Sequence, residues 1–265
     1  MKFFKHLLNI IAISLLLTSC VPFKDTLYLE KNKDKVADIE INADAYKPYR
    51  LQVDDILSVD IKANNQKEVE IFSKTGENTT GVVNQDRLYF NGYQVDGFGN
   101  IRIPVLGLVN VQGQTVEEVS KLLEKKLLEE YFTPASNLFV TVKLAGIRYT
   151  INGEISSTGT KTVFQDKLNI LEAIANSGDI PVTGNKKEVV VMRKIPTGYQ
   201  SETLDLTDAK VINSPYFYLK PNDYIYVKPL KQKSTGLGLN GLQTLTTVIS
   251  LFGIITTTYL LVKSL

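Results

Sequence analysis

The hydrophobic positions of this chain follow three patterns along its length. Residues 7–17 and 245–262 are almost continuously apolar, whereas the stretch between them alternates short apolar and polar runs. Alternation with a period of two residues is typical of β-strands, and a period near 3.6 residues is typical of helices. The pattern therefore predicts a mixed α/β (α+β) body between two apolar ends.

The first half of the body predicts a small mixed unit. Residues 56–61 alternate as a strand, and residues 93–103 predict a hairpin around a glycine-containing turn. Thr115 and Glu118 fit a capping box, in which each side chain satisfies a backbone amide at the start of a helix. A helix with one apolar face is therefore predicted after Thr115, followed by a strand at residues 138–142.

The second half predicts another unit of similar size. Asn169 is placed to cap a short helix that ends at Gly178. The strand-like stretches around it are residues 149–155, 160–164, 189–192 and 224–227. Two small α/β units in tandem are thus predicted, and neither carries the residues of a catalytic site.

The composition excludes several classes of function. The chain has 30 basic and 28 acidic residues, and removal of Lys2 and Lys5 with a leader peptide leaves 28 of each, so the charge does not predict nucleic-acid binding. One Cys and one His are too few for a disulfide framework, a Cys/His zinc site or a nucleophilic triad. The adjacent pairs Glu117–Glu118 and Glu129–Glu130 fall on a predicted helix, where neighbouring side chains point in different directions and cannot act together as two catalytic carboxylates. Asp54 and Asp55 precede a strand, so a role in shaping a turn is favoured for them. The sequence therefore predicts no enzyme, metal site or cofactor.

Residues 1–20 have the pattern of a bacterial lipoprotein signal. Two lysines precede the apolar residues 7–17, a run too short to span a bilayer comfortably, so export and cleavage are predicted. Residues 17–20, Leu-Thr-Ser-Cys, resemble a lipobox, in which the cysteine becomes the first mature residue and carries the lipid. Cys20 is also the only cysteine of the chain. We therefore expect lipidation at Cys20, and the alternative is an ordinary signal peptide.

The C-terminal apolar run predicts a helix that crosses a membrane over residues 244–262. Its core, residues 245–262, reaches about 27 Å at 1.5 Å per residue, close to the hydrocarbon thickness of a bilayer. On a helical wheel the hydroxyl-bearing residues lie largely on one side. The pore-lining candidates are Gln243, Thr247, Ser250 and Thr257, and the lipid-facing candidates are Leu245, Val248, Phe252, Ile255 and Tyr259. Two-faced helices of this kind predict an oligomer, whereas the alternative is a plain anchor whose hydroxyls bond to their own helix.

Several stretches in order resemble the outer-membrane polysaccharide export proteins, the Wza-like family. Residues 49–59 resemble the start of the family's export domain, with Asp54 where glycine is usual. Residues 96–118 resemble a later signature of the same domain, and residues 149–228 resemble a soluble-ligand-binding β-grasp domain. The resemblance extends over residues 46–230.

This resemblance implies an outer-membrane lipoprotein that forms a channel for capsular or extracellular polysaccharide, with a mainly periplasmic body. It implies a homo-oligomeric, octamer-like ring that receives polymer from an inner-membrane co-polymerase and tyrosine autokinase. The alternative is a glycan-binding lipoprotein that forms no channel and whose terminal segment is a second anchor. An envelope enzyme acting on glycans would need two carboxylates in a cleft, which the sequence does not offer. The expected segments are a signal peptide (1–19), a lipid-attached tether (20–45), the export domain (46–145), the β-grasp domain (146–230), a linker (231–243) and a transmembrane helix (244–262).

Overall fold

The computed structural model describes residues 22–32, 48–72, 91–195, 197–234 and 241–264 of the chain. Within these ranges the chain forms a mixed α/β body with two separate hydrophobic cores, one in each of two units. The mixed fold class predicted from the sequence is confirmed. The predicted signal peptide and Cys20 lie outside the described residues.

The first unit is built from three paired strands, a hairpin and one main helix. Its elements are β1 (Ile56–Lys62), α1 (Gln66–Val69), β2 (Tyr93–Gln94), β3 (Asn100–Ile103), β4 (Gly107–Asn110), α2 (Val116–Glu130) and β5 (Phe139–Leu144). Strands β2, β1 and β5 form an antiparallel sheet in that order, and β3 pairs with β4. Helix α2 packs on this sheet through its buried residues Val119, Leu123 and Leu127.

Helix α2 is also tied to the edge of the sheet by a hydrogen bond. The Val142 amide of β5 donates to the Ser120 hydroxyl at 3.0 Å. An open strand edge leaves backbone amides without partners, so this contact satisfies one of them. The capping box predicted for Thr115 and Glu118 is confirmed, because each residue's side chain accepts a hydrogen bond from the other's backbone amide.

The second unit is a five-stranded sheet with one short helix. Its elements are β6 (Ile147–Gly153), β7 (Gly159–Val163), α3 (Ile170–Ala175), β8 (Gly184–Ile195), β9 (Gly198–Leu204) and β10 (Asp223–Pro229). The strand order is β7-β6-β10-β8-β9, with β10 parallel to β6 and the other neighbours antiparallel. Tyr149 of β6 is fully buried, and its hydroxyl donates to the Ala173 carbonyl of α3 at 3.0 Å, which fixes the helix on the sheet. The predicted cap at Asn169 is confirmed.

The predicted hairpin at residues 93–103 is wrong. The turn itself is present, since the Asp96 amide donates to the Asn100 carbonyl at 2.9 Å, but β2 pairs with β1 and β3 pairs with β4. Strand β2 pairs with β1 because Tyr93 is buried in the core, where its hydroxyl donates to the Phe72 carbonyl. Strands β4 and β9 were not predicted, because β4 is only four residues long and polar residues dominate β9.

Residues 22–32, which we call the strap, pack on the second unit. The sequence predicts this stretch as part of a tether, but Tyr28 and Leu29 contact the second core. The Leu29 and Lys31 amides donate to the carbonyls of Leu206 and Thr207 at 3.0 and 2.9 Å. The strap is therefore a part of the second unit that is separated from it in sequence by the whole first unit.

A C-terminal helix, α5 (Gly241–Ser264), follows a short helix α4 (Lys231–Ser234). The prediction that residues 244–262 cross a membrane is not supported, because no helix in the described part of the chain is long and apolar enough to do so.

Candidate functional site

The loop that precedes β1 is closed by a buried carboxylate. Oδ2 of Asp55 accepts hydrogen bonds from the Tyr49 hydroxyl and from the Gln52 amide, both at 2.8 Å. Burial raises the pKa of Asp55 to about 6, although both hydrogen bonds favour the ionised form. Asp54 has a φ of 75°, a backbone conformation that glycine adopts most easily. This conformation explains why the export-domain pattern that residues 49–59 resemble usually has glycine at this position.

The stretches that carry the sequence resemblance meet around this loop. The Leu51 amide donates to the Gln114 carbonyl, and the Gly113 amide donates back to the Leu51 carbonyl, both at 2.9 Å. On the other side the Val95 amide donates to the Asp55 carbonyl at 2.8 Å. Residues 49–55, 95–100 and 113–118 are therefore one structural cluster, and their pattern is explained by the contacts that shape the first unit.

The loop between β3 and β4 holds an unusual backbone conformation. Val105, which is half exposed, has a φ of 65°, and the Leu106 amide reaches back to the Pro104 carbonyl at 2.7 Å. A β-branched residue in this region is strained. Leu108 of β4 and Tyr131, whose hydroxyl donates to the Val105 carbonyl at 3.3 Å, are also exposed, so this end of the hairpin presents an apolar surface.

A buried ion pair organises the second unit at its contact with the first. The Arg193 guanidinium donates to both carboxylate oxygens of Asp223, at 3.0 and 2.7 Å, and also to the Tyr218 carbonyl at 3.0 Å. The Arg193 side chain is 9% exposed and that of Asp223 is fully buried. The sequence does contain a signal for this pair, because alternation along β8 places Arg193 on the same buried face of the strand as Val189 and Val191.

A cleft of about 380 Å³ separates the two units. Its walls are residues 48–52 of the first unit and residues 166–167, Arg193 and 214–220 of the second. Tyr49 and Tyr218 supply aromatic surface to the cleft, and Lys220 lies beside them. Burial lowers the pKa of Lys220, and the positive charge of Arg193 lowers it further. Aromatic surface with a few convergent polar groups between two units is typical of a binding site.

The residues that line this cleft can bind a ligand through aromatic contacts and through charged and polar groups. Within the described ranges no cluster of His, Cys, Asp and Glu could hold a metal ion. A second cavity of about 290 Å³ lies where residues 54–56 meet residues 144–148 and 221–222. An ion pair of 3.2 Å between Lys194 and Asp54 links the two units near it.

The predicted pore-facing residues give a mixed picture. The hydroxyl of Ser250 donates to the Thr246 carbonyl at 2.8 Å, and that of Thr257 donates to the Gly253 carbonyl at 2.7 Å. These bonds within α5 are the ones expected for the alternative of a plain anchor. Phe252 and Ile255 are exposed, and so are Ser250 and Thr257, so the assignment of a pore face and a lipid face stays a prediction. The remaining candidates have side chains outside the described set: Gln243, Thr247, Leu245, Val248 and Tyr259.

The described residues form two mixed α/β units with a cleft between them. Residues 43–145 match the family described as polysaccharide biosynthesis/export protein. The first unit is therefore a polysaccharide export domain, and the resemblance to the export family is confirmed. No curated protein matches the chain.

Proposed function

We propose that this protein is a lipid-anchored component of polysaccharide export across the outer membrane. The observation that carries the proposal is the export domain at residues 43–145, whose shared motifs form one hydrogen-bonded cluster around Asp55. The proposed role is passage or guidance of a polymer, because aromatic and cationic side chains line the cleft between the units.

The proposed assembly is a ring of identical subunits that surrounds the exported polymer. Each copy would be anchored by lipid on Cys20, and its body would lie mainly in the periplasm. An inner-membrane co-polymerase and tyrosine autokinase would deliver the polymer. Support for an assembly comes from the exposed side chains of Val105, Leu108 and Tyr131 at one end of the export domain, since clustered exposed apolar residues are typical of interfaces.

Deletion of the gene tests the export role. We expect cell-surface polysaccharide to be lost and polymer to accumulate in the periplasm, with both restored by the wild-type gene. Unchanged surface polysaccharide would contradict the proposal. Polymer synthesis should be measured alongside, because a loss of total polymer would indicate a role in biosynthesis instead.

A glycan-binding lipoprotein that forms no channel is the second candidate function. It is favoured by the hydrogen bonds of Ser250 and Thr257 within α5, which leave those hydroxyls satisfied in a single copy. Native mass measurement of the detergent-extracted protein separates the two. A closed ring of uniform size supports the channel, whereas a monomer that binds glycan supports the alternative.

A further inference from the structure

The walls of the cleft between the two units carry more positive than negative charge. Among the described residues that line it, Asp166 is the only acidic one, and the cationic ones are Arg50, Lys167, Arg193 and Lys220. The charge of Arg193 is balanced by Asp223, to which it is bound through two hydrogen bonds. The positive surplus therefore comes from the other cations, of which Lys220 is the most enclosed.

Lys220 is a half-buried cation that has no carboxylate of its own. Within the described part of the chain its ammonium forms no ion pair. The nearby Asp223 is engaged by other donors, because it accepts from the Arg193 guanidinium and from the Lys220 backbone amide, the latter at 2.8 Å. Burial and the charge of Arg193 both disfavour the charged form of Lys220, which lowers its pKa. A perturbed cation of this kind in a cleft marks a candidate site for an anion.

Two tyrosine rings supply the aromatic part of the same walls. The Tyr49 ring is held by the hydrogen bond of its hydroxyl to Asp55. The Tyr218 ring packs edge-on against Phe217, with ring centroids 5.3 Å apart. Flat aromatic rings contact the C–H faces of sugars well, and side chains that are already fixed lose little freedom on binding. The cleft therefore fits a ring-shaped ligand that has an apolar face and an anionic substituent.

Arg50 brings further hydrogen-bond donors to the cleft. Its Nη1 donates to the Gly113 carbonyl at 2.6 Å and lies 3.4 Å from the Glu118 carboxylate. No other acceptor of this guanidinium is found among the described residues, and its side chain is exposed. Its remaining N–H groups can therefore donate to hydroxyl or carboxylate oxygens of a ligand.

The cleft has the size of a small-ligand site and is open to solvent. Its volume of about 380 Å³ lies within the range of about 300–1,000 Å³ that is usual for such sites. Pro48, Lys167 and Pro215 of its lining are exposed. A short segment of a polymer can therefore occupy the cleft while the rest of the polymer continues outside it.

We propose that this cleft binds a carboxylate-bearing sugar of the exported polymer, with Lys220 paired to the carboxylate and with Tyr49 and Tyr218 against the sugar ring. The inference rests on polysaccharide export in the proposed function and adds the class of polymer, one that contains uronic acids. A single enclosed cation favours modest affinity, which suits a polymer that has to be released and move on.

Two forms of one oligosaccharide test the carboxylate. Full-length protein purified in detergent is titrated with oligogalacturonate and with the same oligosaccharide after methyl esterification, and calorimetry measures the Kd of each. Esterification keeps the sugar rings and removes the negative charges. We expect oligogalacturonate to bind about tenfold more tightly, because the ester loses the contact with a charged group. Equal affinities, or no binding of either form, overturn the proposal.

Lys220→Met and Lys210→Met are the matched pair of variants. Each removes one positive charge from the second unit, but Lys210 is exposed and does not line the cleft. We expect Lys220→Met to bind the two oligosaccharides equally and Lys210→Met to keep the wild-type difference. Loss of the difference in both variants would show a general attraction to positive charge and would overturn the proposal. If Lys220→Met does not fold, as judged by circular dichroism, the comparison of the two ligands on the wild-type protein still decides.

Two further results separate this site from its alternatives. Inorganic phosphate at an equal concentration should not displace oligogalacturonate, and displacement would show a general anion site instead of a sugar site. Gene deletion separates the cleft from the export role: lost surface polysaccharide together with no binding of oligogalacturonate contradicts only the uronate site. Unchanged surface polysaccharide on deletion contradicts the export role on which the inference rests.

Discussion

The Tyr49 hydroxyl donates a 2.8 Å hydrogen bond to Oδ2 of Asp55, and the two side chains close the loop that begins the export domain. The same oxygen accepts the Gln52 amide. Because Asp55 is 3% exposed, its carboxylate has little access to water and depends on these two donors. The residues that define the motif therefore matter first for the shape of this loop.

Asp55 should make stability depend on pH. An aspartate has a pKa near 3.9 in the unfolded chain, and burial raises the pKa of Asp55 to about 6. The folded state therefore binds the Asp55 proton more tightly than the unfolded chain does, and this tighter binding stabilises the fold. The stabilisation is complete below about pH 4 and is lost as the pH rises to about 6, which lowers the unfolding free energy by up to about 3 kcal/mol. In Asp55→Asn, whose amide oxygen still accepts from Tyr49, the urea-unfolding free energy should decline less over that range. Equal pH profiles for the two proteins would contradict the assignment.

Loss of the cation should destabilise the protein far more in the buried Arg193–Asp223 pair than in the exposed Lys194–Asp54 pair. Arg193→Met leaves the Asp223 carboxylate buried without its partner, which costs about 3–5 kcal/mol in unfolding free energy. Lys194→Met is the matched control, because Lys194 pairs with Asp54 at side-chain exposures of 60% and 51% and should cost less than about 1 kcal/mol. Chemical unfolding of the two variants measures the difference. Similar losses would show that Arg193 is not held as the structure has it.

Two glycines of one turn should respond differently to a methyl group. At Gly99, with φ of 79°, an added Cβ would lie 2.4 Å from the Gln112 side chain. At Gly97 nothing lies within 4 Å of the added atom. We expect Gly99→Ala to destabilise the protein by about 1–2 kcal/mol and Gly97→Ala to change stability by less than about 0.5 kcal/mol. Thermal unfolding followed by circular dichroism checks both, and a neutral Gly99→Ala would contradict the positive φ.

Relief of backbone strain should make Val105→Gly stabilising. The φ of 65° suits glycine, and little burial is lost because Val105 is 54% exposed. The expected gain is about 1 kcal/mol. Val182→Gly is the control, since Val182 is similarly exposed without a positive φ and should lose stability through the added freedom of the unfolded chain. A loss at both positions would show that Val105 is unstrained.

Cys20 should be the site of lipid attachment. Cys20→Ser removes the only thiol of the chain, so we expect no incorporation of labelled fatty acid and an accumulation of unprocessed precursor. Lys24→Ser, four residues later, is the control and should be processed normally. Fatty-acid label that persists in the serine variant would show that Cys20 does not carry the lipid.

The sequence predicted those parts of the fold that depend on local chemistry. The caps at Thr115 and Asn169 and the apolar face of α2 are read from residues three or four positions apart. Strand pairing was predicted less well, because the partner of Tyr93 is decided by burial against Phe72 and not by neighbours in the chain. The export family was accessible because its motifs follow one another in order within the chain.

The candidate site was largely hidden from the sequence. The cleft between residues 48–52 and 214–220 brings together segments more than 160 residues apart. The strap was missed for the same reason, since its polar composition resembles a linker and only its contacts with the second unit show its role. Arg193 alone carried a readable signal, as a charge on the apolar side of an alternating strand.

The docking of the strap has a consequence for how the protein folds. Asn32 binds Asp208, which follows 176 residues later. Closing a loop of that length costs about 2–3 kcal/mol more than closing one of ten residues, and the contact cannot form before residue 208 has been made. The export domain, which lies wholly inside this loop, can fold before Asn32 meets Asp208. The second unit is completed last, and its completion joins the two ends of the loop around a domain that is already formed.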